Sequence, residues 1–175
     1  RVDIVFSNTA ADGGDGGDSV TVLIGGPDGS FRNAGTFPVG DRPEGAILAD
    51  VTGDGILDVV TANFEGHSVS VLPGNGDGSF APEVRTAVPG GPRSVLWRDF
   101  DGDGRADLAT SNYDDDSVSI LLGDGSGTFV ESSRIAVGGG PEVVVTARLD
   151  ADAHLDLATC NAKDDSVTLL RSDGG

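Results

Sequence analysis

Asp99-Phe-Asp101-Gly-Asp103-Gly-Arg105-Ala-Asp107, followed by Leu-Ala-Thr-Ser-Asn112, is a sentence this chain writes more than once. Forty-nine residues earlier stands Asp50-Val-Thr52-Gly-Asp54-Gly-Ile56-Leu-Asp58, then Val-Val-Thr-Ala-Asn63. Forty-nine residues later the same register gives Asp150-Ala-Asp152-Ala-His-Leu-Asp156, with Asp152 matching Asp103 and Asp156 matching Asp107, then Leu-Ala-Thr-Cys160-Asn161. The chain opens inside a further copy, Asp3-Ile-Val-Phe-Ser-Asn8. From Asn8 to Asn63 is 55 residues, six more than the period, and the excess lies in the loop 9–18. Two other elements keep the same beat: Ser19-Val20, Ser68-Val69, Ser117-Val118 and Ser166-Val167, and the turns ending in Phe31, Phe80 and Phe129. A period of this length marks an array of similar supersecondary units.

Each unit reads as four short strands. In the third, Ser94–Arg98 leads into the Asp loop, Asp107–Ser111 follows, then Ser117–Leu122, and Thr128–Val137 completes it after a Gly-rich turn. β-Branched residues fill these runs, and no apolar pattern of helical period is sustained anywhere. The expected fold is all-β, a β-propeller of about 3.5 four-stranded blades. The whole chain, 1–175, reads as one domain with repeats at 3–57, 58–106, 107–155 and 156–175. The first copy lacks its first strand and the fourth its last, so fourteen strands are expected. A ring must close or leave blade edges open to association. Three closures satisfy this: a piece of a larger ring of about six to eight blades, a small four-bladed ring, or a half that pairs with another chain. The first is favoured because the chain begins inside an Asp loop, and self-association through the incomplete terminal blades is the corresponding partner expectation.

Composition narrows the function. Among 175 residues there are 28 Gly and 8 Pro, and 29 acidic against 11 basic side chains leave a formal charge of −18. Such a field repels phosphate backbones, so neither nucleic acid nor an anionic membrane surface is an expected partner. No apolar run is long enough for a transmembrane helix, so membrane insertion is not expected. No basic-then-apolar leader is present, and the sequence is expected to start after processing or within a longer chain. Cys160 is the only cysteine, which excludes an internal disulfide and a cysteine-built zinc site. It is expected to be a small buried apolar residue, and Trp97, on a first strand, to pack in the core or channel.

The Asp loops carry the chemistry. Asp99, Asp101, Asp103 and Asp107 occupy loop positions one, three, five and nine, and position seven, Arg105, can offer only its carbonyl. Asp50, Thr52, Asp54, Ile56 and Asp58 fill the same positions one period earlier. Carboxylates, a carbonyl and water form the hard oxygen cage that Ca²⁺ takes, with six to eight ligands at roughly 2.3–2.6 Å. Turn-forming Asp would explain one loop, but loops in register with glycines at fixed places favour a metal. An EF-hand is rejected, because the twelfth position is Thr110, in an expected strand. The third loop offers Asp150, Asp152 and Asp156, but Arg148 stands at its first position and Ala151 and Ala153 replace the glycines. It is expected to bind weakly or not at all, as is Asp3.

The Asp loops, the downstream Asn63, Asn112 and Asn161, and the Phe turns together resemble the FG-GAP (VCBS) repeat, the blade of the integrin α-subunit propeller and of many secreted bacterial proteins. The resemblance covers essentially the whole chain. It implies Ca²⁺ loops between the first and second strands of each blade, an extracellular setting, and a ligand surface on the face opposite those loops. Arg42, Phe64, Arg93 and Tyr113 are the candidate ligand residues on that face, Phe64 and Tyr113 at equivalent positions of successive copies. No nucleophile and base are paired in the sequence, and an active site need not be written three times, so no catalysis is expected. The function expected is a calcium-stabilised extracellular scaffold for protein adhesion or surface assembly. The alternatives are a glycan-binding lectin-type propeller or a supporting domain of a larger secreted protein.

Overall fold

Short runs of Val, Ile, Ser and Thr, bounded by Gly and Asp, become strands because branched side chains pack well on a pleated surface and the flanking residues turn easily. The computed structural model describes residues 3–9, 17–152 and 154–172. Residues 10–16 of the long first loop, and Ala153 of the third Asp loop, lie outside the described residues. Fourteen strands are described. The first three are β1 (Ile4–Asn8), β2 (Ser19–Gly25) and β3 (Phe31–Pro38). Next come β4 (Pro43–Ala49), β5 (Asp58–Asn63), β6 (Ser68–Leu72) and β7 (Val84–Ala87). They are followed by β8 (Pro92–Arg98), β9 (Asp107–Asn112), β10 (Ser117–Gly123) and β11 (Phe129–Ala136). The last are β12 (Pro141–Ala147), β13 (Asp156–Asn161) and β14 (Ser166–Leu170). Among the described residues no helix is long and apolar enough to cross a membrane.

The strands form four antiparallel meanders, β1-β2-β3, β4-β5-β6-β7, β8-β9-β10-β11 and β12-β13-β14. This is the blade pattern read from the repeat, with the first and last sheets one strand short. The first strands of successive sheets neighbour one another, β4 beside β8 and β8 beside β12. Periods counted from Asp58, Asp107 and Asp156 begin on the second strand of a sheet, so each runs on into the first strand of the next.

The core lies in the seams between sheets, and the same repeat positions build each seam. Val20 and Val22 of the first sheet meet Val59 and Phe80 of the second. Val69 and Val71 of the second meet Leu108 and Phe129 of the third. Val118 and Ile120 of the third meet Val144 and Leu157 of the fourth. Each fully buried valine contributes about 1.5–3 kcal/mol, so these seams hold the array together. Hydrogen bonds between sheets repeat as well. The side chains of Asp18, His67 and Asp116 accept the backbone N–H of Arg42, Gly91 and Gly140 at 2.8, 3.1 and 2.8 Å.

Cys160 is exposed, not buried. One period earlier, Ser111 is covered by the fourth sheet and donates to the Glu142 carbonyl at 3.1 Å. Cys160 has the same orientation with no described sheet beyond it. Trp97, expected in the core or channel, stays partly exposed near the end of β8, with the Arg98 guanidinium 5.9 Å from its ring.

Candidate functional site

Two features gather the candidate residues: the Asp loops between first and second strands, and a ladder of cations and aromatic rings near the second-to-third strand turns. In the loop at 99–107, carboxylate oxygens of Asp99, Asp101 and Asp107 lie within 4.8 Å of one another. Two ligands of one Ca²⁺ can stand at most about 5 Å apart, so this trio fits a divalent ion. Gly102 and Gly104, at φ 79 and 85°, let the loop curl around it. Asp99 accepts the N–H groups of Gly102 and Gly104 at 2.7 and 3.0 Å. Asp103 lies apart from the trio, accepting from the Arg105 N–H and pairing with the Arg105 guanidinium. The Arg105 Nε in turn donates to the Gly123 carbonyl at 3.0 Å, which carries that side chain away from the trio.

The loop at 50–58 has the same backbone. Asp50 accepts from Gly53, Asp54 and Gly55, and Asp54 accepts from Ile56. Thr52 Oγ1, at position three, is buried and has no hydrogen-bond partner. A buried hydroxyl oxygen left unpaired is costly, and a cation at this loop would satisfy it. In the third loop, among the described residues, Asp150 and Asp152 accept short-range N–H bonds from Asp152 and His154. Arg148 is exposed.

The ninth-position aspartates have a structural task that the spacing alone does not reveal. Asp107 is fully buried, and its two oxygens accept the Phe100 N–H at 2.7 Å and the Gly123 N–H at 2.9 Å. Asp58 does the same for Val51, Thr52 and Gly74, and Asp156 for Leu149 and Ser172. Asp3 accepts the Gly25 N–H at 2.9 Å. Each therefore ties its own sheet's third strand end to the second strand, and in the three complete loops also to the loop's start. The Leu149 N–H, aided by Ser172 and by the charge of Arg171, holds the Asp156 carboxyl below the usual range. An oxygen that accepts one N–H keeps a lone pair, so Asp107 can cap the backbone and still face a cation.

The repeated asparagines are pins of the second hairpin. The Asn63 amide donates to Ser68 and Ser70 Oγ, and the Asn112 amide to Ser117 and Ser119 Oγ. Asn8 and Asn161 make the equivalent pairs.

Arg42, Phe64, Arg93 and Tyr113 are brought together. The Arg42 guanidinium carbon lies 4.9 Å from the Phe64 ring centre. Arg93 lies 4.9 Å from Phe64 and 3.8 Å from Tyr113, and the Lys163 ammonium 4.6 Å from Tyr113. The two rings meet edge to face, their centres 6.2 Å apart. A β-bulge explains how Arg93 reaches this position. Register slips between Pro92 and Ser94, as it does between Pro43 and Gly45 and between Pro141 and Val143. The extra residues are Arg93, Glu44 and Glu142, and a bulge re-aims its side chain. Arg93 therefore sits between two acidic period-mates, 2.9 Å from Glu142 and 3.4 Å from Glu44. Glu142 had no signal in the sequence beyond its place one period after Arg93. Lys163 also donates to the Tyr113 carbonyl at 2.8 Å and pairs with Asp116 at 3.0 Å. The Gly140 N–H and then Lys163 hold the Asp116 carboxyl below the usual range.

Against known proteins, the family model of the FG-GAP-like repeat matches residues 50–110 and 99–159. No curated protein sequence matches. Among solved structures, a Bacteroides uniformis protein provisionally assigned as a 6-phosphogluconolactonase superposes with a TM-score of 0.66. Identity is 17%, over 90% of this chain and 47% of that one. A Bacteroides caccae protein of unknown function gives 0.58 at 15% identity, over 98% of this chain and 53% of that one. An Agrocybe aegerita lectin that recognises non-reducing terminal N-acetylglucosamine gives 0.51 at 20% identity, over 91% and 46%. The chain spans about half the length of these structures, and at such identities the likeness speaks for the fold alone.

Proposed function

The chain belongs to the FG-GAP-like repeat family, and from that premise we propose that it is a calcium-stiffened, extracellular β-propeller module that carries a protein partner on its loop face. The observation behind this reading is the Asp99, Asp101 and Asp107 trio, whose all-oxygen donor set and spacing suit Ca²⁺. Asp50 and Thr52, the period-mates of Asp99 and Asp101, would provide the second such loop, with Asp58 and Asp107 supporting both the backbone and the ion. Bound calcium would cross-link loop segments that otherwise hold only short N–H contacts, and so would stiffen the ends of neighbouring blades. The extracellular setting is supported by the family, and it goes with an expected Ca²⁺ affinity of roughly 10⁻⁴–10⁻³ M, the range of extracellular modules.

A protein partner is favoured over a glycan by the ladder. Lectins stack sugars on open aromatic faces, yet Phe64 and Tyr113 each already hold two cationic groups within 5 Å. A sugar would have to displace Arg93, Arg42 or Lys163. Membership of a repeat family whose repeats are generally non-catalytic supports a binding role over a catalytic one.

Calorimetric titration with Ca²⁺ tests the reading, with Mg²⁺ as control. Saturable binding at the two loops with a dissociation constant near 10⁻⁴–10⁻³ M is expected. Absence of binding would remove the metal, and sub-micromolar affinity would remove the argument for an extracellular setting. A glycan panel screened with the Ca²⁺-loaded protein separates the partner classes. Hits weakened by Tyr113→Ala would overturn the protein-partner reading in favour of a lectin.

A further inference from the structure

The residue just before Ser19, Ser68 and Ser117 reaches from one sheet to the next. Asp18 accepts the Arg42 N–H, His67 Nδ1 the Gly91 N–H and Asp116 the Gly140 N–H. The connection runs on from there. The carbonyls of Arg42, Gly91 and Gly140 accept the N–H groups of Phe64, Tyr113 and Ala162 at 2.9, 3.0 and 2.9 Å. Gly90 adds a second bond in the middle case, its carbonyl accepting the Asp114 N–H at 2.9 Å. Three backbone straps thus tie the turn of one sheet to the turn of the next on the loop face.

Two of the three straps end on a carboxylate and the middle one ends on an imidazole. The period writes Asp at 18, 116 and 165, and His at 67 alone. His67 and Asp116 hold the same left-handed backbone, φ 43 and 51°, which both residue types adopt more readily than most. The exchange changes when the strap can hold. Nδ1 accepts only in the neutral ring with its proton on Nε2, and a further proton from solvent fills the Nδ1 lone pair and sets two donors face to face. Carboxylates go on accepting over about pH 5–8, the interval in which histidine changes charge. His67 is exposed, so solvent protons reach it.

Charged groups stand on every element around this strap. Asp115 and Asp114 of the β9–β10 turn pack against Gly90 and Gly91, and Asp115 pairs with Arg134 of β11. Asp41, whose carbonyl accepts the Gly66 N–H, and Arg42, paired with Glu44 and Glu65, flank the turn from the other side. Glu83 and Arg85, beside β6, pair with each other, and Arg93 of β8 pairs with Glu44 and Glu142. Among the described residues the Asp114 carboxylate has no cation paired with it, so the turn beside Gly91 favours a positive charge.

We propose that His67 makes the second strap sensitive to pH: the neutral imidazole ties Gly91, and through it Tyr113 and Asp114, to the second sheet, and the imidazolium releases them. The loop face between the second and third sheets, where Phe64 and Tyr113 stand, is then firmest at neutral pH and loosens on mild acidification. The first and third straps stay closed. The inference needs neither calcium nor a bound partner.

Amide NMR of the whole chain in chelator, titrated from about pH 8 to about pH 5, tests it. The Gly91 amide signal should move with the midpoint of the His67 ring protons, and those of Tyr113 and Asp114 should move with it. The Arg42 and Gly140 amides, held by carboxylates, should move much less. Protection of the Gly91 N–H against exchange, corrected for the intrinsic rate, should fall about tenfold, the size of one net hydrogen bond. In His67→Asp, which writes the period's own residue, the Gly91 amide should stay fixed and protected across the range. His67→Asn, whose amide oxygen accepts at any of these pH values, should behave alike without the added charge. A His67 ring that titrates while Gly91 moves no more than Arg42 and Gly140 would overturn the inference. So would Gly91 movement that survives both substitutions, or a Gly91 shift that leaves Tyr113 and Asp114 in place, since the strap would then transmit nothing.

Discussion

Asp107→Asn and Asp101→Asn separate the two tasks that meet in one loop. Asp107 is buried and each of its oxygens accepts a backbone N–H, from Phe100 at 2.7 Å and Gly123 at 2.9 Å. The amide of Asn can accept only one, and its NH₂ is left facing the other donor. A hydrogen bond to a charged group is worth about 1.5–3 kcal/mol, and an unsatisfied buried donor costs about 1–3 kcal/mol. The substitution should therefore cost about 3 kcal/mol in chelator, and more in Ca²⁺ because it also removes a carboxylate of the trio. For a domain of this size that lowers Tm by roughly 6–12 °C. Asp101 is exposed and accepts only the Asp103 N–H, at 3.1 Å, a bond the Asn carbonyl keeps. In chelator Asp101→Asn should cost less than about 0.5 kcal/mol. The effect of calcium is the reverse. With a dissociation constant of about 10⁻⁴–10⁻³ M, millimolar Ca²⁺ adds about 0.4–1.4 kcal/mol, and Asp101→Asn should lose the share belonging to its loop. Thermal melts by circular dichroism, in chelator and in millimolar Ca²⁺, give all the values needed. If Asp107→Asn melted like wild type in chelator, the capping argument would be wrong. If Asp101→Asn kept the full calcium increment, the trio would not be a metal site.

Three other outcomes follow from the geometry. Arg93→Ala removes the pairs to Glu44 and Glu142 and the contacts to two rings. A partly exposed ladder should make this worth about 1–2 kcal/mol in urea unfolding, with Arg93→Lys in between, and no change would mean the ladder is not structural. Gly123→Ala should cost more than about 3 kcal/mol, because its Cβ would stand 2.1 Å from the Ala106 carbonyl oxygen. Gly102→Ala, at φ 79° with open space around it, should cost only about 1 kcal/mol, so equal losses would refute the steric assignment. Finally, Asp116 and Asp156 have carboxyls lowered from 3.8 by backbone N–H groups. A depressed folded value adds stability above the unfolded pKa that is lost as pH falls through the folded one. Urea unfolding in chelator should therefore weaken as pH falls below about 4, and Asp116→Asn should flatten that slope; an unchanged slope would show that Asp116 contributes nothing to it.

What the sequence determined by itself was everything that depends on period. Strand count, the short first and last sheets, the Asp loops and their glycines all follow from a 49-residue spacing, because repeated local chemistry folds into repeated local structure. Turn residues and β-branched runs act over a few positions, so they are legible without knowing what lies beside them. The tertiary structure alone decided which residues share a surface. Asp58, Asp107 and Asp156 cap N–H groups sixteen residues away, where the third strand ends, and that meeting exists only once the sheet has formed. Arg93 reaches Phe64, Glu44 and Glu142 only because adjacent sheets stack and a bulge turns it outward. Cys160, a small apolar residue of the kind that is usually buried, ended up exposed because burial is a property of the neighbouring sheet and not of the residue.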